Sequence, residues 1–168
     1  MTEPIKIVAE IIRASMELQA DQVLLYNQKF LIPSDDRLYI AIGILGTKTF
    51  GATTRYEVDP VTGELKETQR VNRLELFSIT VYSRSSEART RNWEIPAALV
   101  STFSEQQQEA NSIKIAQVPV AMNDVSQVDG TARLNRYVLT IPVQAAYTKT
   151  QPTQYFDKFS QPEIYTNA

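Results

Sequence analysis

Residues 38–45 read Leu38-Tyr39-Ile40-Ala41-Ile42-Gly43-Ile44-Leu45, a run that is apolar almost throughout and rich in β-branched side chains. Such a run is typical of a central strand covered on both faces, because it lacks regular polar alternation. Residues 74–82 form a second β-rich run, and its apolar phase changes around Phe77, which predicts a bulge or twist. The longest strand is predicted over 133–147. These three segments predict a sheet as the body of the domain.

Two segments have helical periodicity. Residues 3–18 predict an N-terminal helix with a wide apolar face, and Thr2 is placed to cap it. A second helix is predicted over 87–103, where Pro96 is expected to break or kink it. The apolar positions of this second helix are Ala88, Trp93, Ala97, Val100 and Phe103. A polar helix end or loop follows over 104–112.

The remaining segments are short. Asp59-Pro60-Val61-Thr62-Gly63-Glu64 carries strong turn chemistry between alternating flanks, so residues 56–67 predict an exposed hairpin that projects from the body. A loop or bulge is expected between Gly46 and Gly51, and a loop over 123–131. Two short strands are predicted within 22–33, and one over 113–120. The element order predicts a single α+β domain over 1–147, an antiparallel sheet with helices packed on one face.

Residues 148–168 differ in character and predict an extended C-terminal arm. The segment is poor in aliphatic residues but carries Tyr155, Phe156, Phe159 and Tyr165. Ordering about 20 residues costs roughly 20–40 kcal/mol of backbone entropy. Burial of its apolar side chains returns only about 8–15 kcal/mol. The arm therefore needs a pre-formed surface with hydrogen-bond partners, either on its own domain or on a neighbouring subunit.

Composition excludes several classes of chemistry. The chain has no cysteine and no histidine, so thiol nucleophiles, Cys/His zinc sites and imidazole bases are excluded. No carboxylate or serine cluster matches a catalytic, metal or cofactor site, and we expect neither an enzyme nor a bound cofactor. The net charge of −2 does not favour a nucleic-acid-binding surface. No apolar run approaches membrane-spanning length, and the acidic start lacks a signal-peptide pattern, so we expect synthesis in a cytosol.

Arginines form the densest charge feature of the chain. Arg84, Arg89 and Arg91 follow the predicted strand 74–82, and Arg70 and Arg73 precede it. Three interpretations are open: ordinary surface charge, ion pairs between subunits, or contact with nucleic-acid phosphate. Arginine is enriched at protein interfaces, so these five residues join the four arm aromatics as candidate interface residues.

The layout resembles tail-terminator and neck proteins of tailed bacteriophages. The segments that carry the resemblance are Arg73–Ser83, Glu87–Phe103 and Leu134–Gln144: a strand ending in Tyr-Ser, an alanine-bearing helix, and a long final strand. The N-terminal helix also fits.

The resemblance implies a homo-hexameric ring at the head-proximal end of the tail tube, joining the tail to the neck. Its partners would be the tail tube and neck or connector proteins, with a sheath or collar as further contacts. DNA would pass through the lumen without sequence-specific contact, and the location would be the virion. The alternatives are another tail-tube or head-completion ring subunit, or a small monomeric ligand-binding α+β domain.

Overall fold

The structure is a computed structural model, and it describes residues 3–25, 34–116, 122–129 and 132–153. Over these ranges it contains four α-helices and seven strands. The helices are α1 (Pro4–Ser15), α2 (Glu87–Arg91), α3 (Glu94–Leu99) and α4 (Thr102–Ala110). The strands are β1 (Val23–Leu25), β2 (Tyr39–Val58), β3 (Leu65–Ser83), β4 (Ile113–Ile115), β5 (Asn123–Asp124), β6 (Gln127–Asp129) and β7 (Ala132–Pro152).

The strands form one sheet in the order β1-β2-β3-β7-β4, with β5 and β6 also paired to β7. β1 runs parallel to β2, and the other pairs are antiparallel. The predicted single α+β domain is therefore confirmed. The predicted hairpin is also present, since β2 and β3 pair as far as Val58 and Leu65 on either side of the turn.

The core lies between one face of the sheet and the helices. α1 buries Ile7, Val8, Ile11 and Ile12 in one cluster with sheet residues that include Ile42. Phe77, Ile79 and Val81 of β3 and Leu139, Ile141 and Val143 of β7 complete the floor of this cluster, and Ala88, Ile95 and Leu99 join it from α2 and α3. On the opposite face, Tyr39 and Tyr82 stack with ring centroids 5.7 Å apart within a smaller apolar cluster.

The three long strands extend further than predicted. β2 runs unbroken from Tyr39 to Val58 because the expected irregularity between Gly46 and Gly51 is two bulges, at Leu45 and Phe50, within one strand. The bulge expected near Phe77 is wrong for β3, which pairs with β7 in unbroken register; Leu76 and Phe77 face opposite sides of the sheet, and the bulges lie in the partner strand β2. β7 continues to Pro152, so residues 148–152, predicted as the start of the arm, are strand paired to β3.

The helical predictions need correction. The single helix expected over 87–103 is wrong, because the structure has three helices there. The first break lies at Asn92–Trp93, one turn before Pro96, because the proline ring would clash with a carbonyl at that point of a continuous helix. The second break comes before Ser101, whose hydroxyl accepts the Ser104 backbone N–H (3.1 Å) and begins α4. α1 ends at Ser15, three residues early, because Glu17 at φ 54° lets the Leu18 N–H reach the Arg13 carbonyl (3.0 Å).

Part of the predicted loop over 123–131 is strand, because β5 and β6 pair with β7. Other predictions fall wholly or partly outside the described residues. These are the Thr2 cap, the second strand of 22–33, the end of the 113–120 strand, the Asp129-Gly130 turn and the arm after Thr153.

Phe77 tests this account of the core. We expect Phe77→Ala to lower the free energy of unfolding by about 3–5 kcal/mol, because the ring is fully buried and its removal leaves a cavity. Leu76 directly precedes Phe77 and lies on the opposite, exposed face of the sheet. Leu76→Ala should lower the free energy of unfolding by less than about 1 kcal/mol. Urea denaturation of both variants measures the difference, and equal losses would contradict the assignment of the core face.

Candidate interaction surface

The distal parts of the three long strands form a ribbon that extends past the helices. We define the ribbon as residues 46–58, 65–76 and 142–152, which pair along their length with one bulge at Phe50. From Gly46 to Val58 the strand covers roughly 40 Å at about 3.3 Å per residue. All of these β2 residues are exposed except Gly51, which is partly buried. No helix in the described part of the chain covers these β2 residues, whereas helices cover the other half of the sheet.

Both edges of the ribbon are open within the described part of the chain. β1 pairs only with Ile40–Ile42, and β4 covers β7 only at Val143–Ala145. Beyond these points, β2 and β7 present backbone N–H and C=O groups without a described strand neighbour. Unpaired strand edges are templates for another chain.

Apolar side chains are concentrated on the exposed ribbon and its base. On the ribbon, at its base and in its turn, the large apolar residues that are more than half exposed are Ile44, Leu45, Phe50, Tyr56, Val58 and Val61; elsewhere Trp93, Val100 and Val128 are also more than half exposed. Apolar side chains clustered in this way mark an interaction surface more often than scattered ones do.

The tip of the ribbon is a well-bonded turn. The Asp59 backbone exchanges bonds with Glu64 O and Gly63 N (both 2.8 Å), and Gly63 takes φ 70°, which suits glycine. The Asp59 carboxylate accepts the Val61 N–H (2.8 Å) and pairs with Lys66. The Lys66 ammonium, followed by the backbone N–H donors, lowers the pKa of Asp59 to about 2. These bonds fix the backbone of the turn, on which Val61 is exposed.

A polar cluster lies where the ribbon meets the core. Glu75 is 4% exposed and accepts the Tyr147 hydroxyl at 2.6 Å. The Arg73 guanidinium lies 5.0 Å from the Tyr147 ring centroid, and its Nη1 is 3.9 Å from Glu75 Oε1. Burial first, and then the bond to Glu75, raises the pKa of Tyr147 to about 12. These groups satisfy one another and leave the phenol protonated at neutral pH.

This cluster borders a groove of about 540 Å³ beside the start of α1. The other lining residues are Glu3, Pro4, Ile5, Gly43, Ile44 and Thr47. Glu75 is not among the residues predicted from the sequence, although a signal for it was present. Glu75 alternates in phase with Phe77, Ile79 and Val81. Its carboxylate must therefore lie on the same side of the sheet as the core.

The five candidate arginines do not form one patch. Arg70 and Arg73 lie on the ribbon part of β3, whereas Arg84, Arg89 and Arg91 follow the other end of that strand. Arg73 belongs to the cluster above. Arg91 bonds to Glu94 (2.8 and 2.9 Å) and to the Met16 carbonyl (3.0 Å), so it ties α2 to α3 and to the end of α1.

Arg70 and Arg89 are exposed, and Arg84 is partly buried. The four arm aromatics, Tyr155, Phe156, Phe159 and Tyr165, lie outside the described residues. The described chain ends beside the ribbon tip, where the Thr153 N–H donates to the Leu65 carbonyl (2.9 Å).

Comparison with known proteins gives no match, either to a protein-family model or to a curated protein. No helix in the described ranges is long and apolar enough to cross a membrane. The described acidic side chains form no group of three that could hold a metal ion.

Asp59 gives a test of the tip. We expect its carboxyl carbon to titrate in NMR with a midpoint near pH 2, and Lys66→Ala to move that midpoint up toward the ordinary 3.8. The lowered pKa means that the carboxylate stabilises the turn above about pH 4 and loses this effect as the pH falls through about 2. Lys149→Ala, another lysine on the ribbon, should leave the midpoint unchanged. A midpoint near 3.8 in the wild type would contradict the Asp59–Lys66 pair.

Tyr147 gives a test of the polar cluster. We expect Tyr147→Phe to lower the free energy of unfolding by about 1–3 kcal/mol, because the buried Glu75 loses a donor. Tyr56→Phe, at an exposed ribbon position, should change it by less than about 0.5 kcal/mol. Because the pKa of Tyr147 is raised, its contribution is complete below about pH 10 and is lost as the pH rises through about 12. Urea denaturation and phenolate absorbance check the two effects.

Proposed function

We propose that this chain is a structural subunit of a tailed-bacteriophage tail, a terminator that forms a ring at the head-proximal end of the tail tube. The observation that carries the proposal is the ribbon. Within the described residues it combines strand edges that have no neighbour, exposed apolar side chains and a length of roughly 40 Å without helical cover. A subunit that is completed by its neighbours has a use for such a surface.

The energetics of an exposed ribbon support an assembly. Apart from Val143 and Ala145 at its base, which pack in the core, the ribbon has few buried apolar contacts of its own, and its edges invite pairing with other chains. Burial of the ribbon against neighbouring subunits removes both liabilities. A stable protein interface buries about 800 Å² on each partner, and a three-stranded ribbon of this length supplies an area of that order.

The choice of a phage tail as the assembly comes from the resemblance of the chain's layout to tail-terminator and neck proteins. In that setting the partners are further copies of this chain in a six-membered ring, the tail tube, and neck or connector proteins. A sheath or collar would contact the outside of the ring. The ring carries out no chemistry of its own and works in the virion after synthesis in the host cytoplasm. DNA passes through it without specific contact.

A different kind of function has one observation in its favour. The groove of about 540 Å³ beside Glu75 has the size of a small-molecule site. A monomeric ligand-binding domain would use it. However, Arg73, Glu75 and Tyr147 already bond among themselves, and the groove alone gives no role to the ribbon.

Electron microscopy tests the location. Particles of the virus that encodes the chain, labelled with an antibody against it, should carry the label at the head–tail junction. Purified protein, alone or mixed with tail tubes, should form rings with six-fold symmetry. Label at the distal tip, or virions without label, would contradict the proposal.

The ribbon's role in assembly is tested by matched valine substitutions. Val58→Asp places a charge on the ribbon, where the valine is 59% exposed, and should block ring formation. Val128→Asp places the same charge on β6, where the valine is 77% exposed, and should assemble like the wild type. Both side chains are exposed, so we expect both variants to fold, which circular dichroism checks. Native mass spectrometry measures assembly, and rings formed by Val58→Asp would contradict the ribbon's role.

A further inference from the structure

The segment Trp93–Val100 consists of α3 and its two capping residues, and it carries apolar side chains on two sides, of which only one packs in the described core. Ile95, Ala98 and Leu99 point into the core. Trp93, Ala97 and Val100, spaced by four and three residues, lie on the opposite side of the helix at 100° per residue. Trp93 is 64% exposed and Val100 62% exposed. A helix with apolar side chains on both sides is usually covered on both sides.

A cation continues this outward face. Asn92 and Trp93 keep helical backbone angles, so α2 and α3 follow nearly one helical path. Arg89, four residues before Trp93, therefore lies on the same side and is exposed. Its guanidinium makes no ion pair with a described carboxylate, whereas the neighbouring Arg91 is held by Glu94. We call Arg89, Trp93, Ala97 and Val100 the helical stripe.

The ribbon tip has the complementary character. Tyr56, Val58 and Val61 present apolar surface there, and Val61 is 90% exposed. Between residues 55 and 67 there are four carboxylates against two cations, a net charge of −2. The tip thus offers apolar side chains with acidic neighbours, and the stripe offers apolar side chains with a cation at one end.

We infer that the ribbon tip of one copy packs on the helical stripe of the next copy. This inference rests on the proposed assembly and identifies the contact within it. The ribbon carries its tip roughly 40 Å beyond the helix-covered half of the sheet, so the tip faces away from the stripe of its own chain. The two patches differ, so the contact is head-to-tail, and its repetition closes a ring or extends a filament.

Complementation between two variants tests the contact. Val58→Asp damages the tip and keeps the stripe, whereas Trp93→Asp damages the stripe and keeps the tip. We expect each variant alone to be monomeric, with the apparent Kd of assembly at least about tenfold higher than that of the wild type. An equal mixture should form a 1:1 dimer at twice the monomer mass of 19.0 kDa and nothing larger, because only one good contact remains. Gln106→Asp, at an exposed position on α4, is the matched control for the stripe and should assemble normally.

Crosslinking gives a second measurement that does not depend on loss of assembly. The chain has no cysteine, so Val61→Cys and Val100→Cys each create one attachment site. A short bis-maleimide should join the two proteins when they are mixed. It should not join Val61→Cys to Gln106→Cys.

The outcomes separate the two proposals. If the wild type forms rings and Trp93→Asp forms them equally well, the stripe contact is overturned and the proposed function stands. If the mixture of the two variants stays monomeric, or Val100→Cys crosslinks only to itself, the tip does not meet the stripe and the inference is overturned. If the wild type stays monomeric alone and with tail tubes, the proposed function fails as well.

Discussion

The strands of this protein are much longer than the helices that pack on them, and this difference in length determines which part of the sheet is covered. α1 has 12 residues and is about 18 Å long, whereas β2, β3 and β7 have 20, 19 and 21 residues and reach about 65 Å. The apolar face of α1 packs over the half of the sheet that contains Phe77, Ile79 and Ile141. No described helix covers the other half of the strands. The packing of α1 therefore decides both where the core lies and where the ribbon begins.

The ribbon keeps its register by local devices, since it has no core of its own. The bulges at Leu45 and Phe50 fix which residues of β2 face which residues of β3. Asp59 fixes the turn, and the Thr68 and Thr150 hydroxyls bond across strands at 3.1 Å. At the other end, Glu75 and Tyr147 place a satisfied polar pair at the boundary of the core. A slip of one residue would break these contacts together, so the ribbon has one pairing even though water surrounds it.

The sequence allowed the sheet, the N-terminal helix and the turn at 59–64 to be predicted, because these carry strong local signals. The continuity of β2 through 46–55 was not predictable, because Gly46 and Gly51 suit either a loop or a bulge, and only the strand pairing shows that bulges are formed. Trp93, Ala97 and Val100 have the same spacing as a core face, and only the packing shows that Ile95, Ala98 and Leu99 turn inward instead. The exposed hairpin over 56–67 was predicted, but its extension down to Gly46 and the exposure of Trp93 and Val100 were not, because exposure is a tertiary property. The arginines looked clustered in sequence, but β3 separates Arg70 from Arg89 by most of its length.

β3 connects the two patches that the chain presents. It starts at Leu65 beside the ribbon tip and ends at Ser83, and α2 begins four residues later. The Ser83 and Ser85 hydroxyls both donate to the Asp36 carbonyl (2.9 Å), and Asn135 Nδ2 donates to the Ser85 carbonyl (2.7 Å), so the exit from the strand is fixed. The angle between the tip and the helical stripe is therefore set within one subunit. In a head-to-tail contact that angle determines whether copies close into a ring and how many the ring contains. A sheet with long continuous strands is suited to this role, because it converts the packing of a small core into a defined curvature at a distance of tens of ångströms.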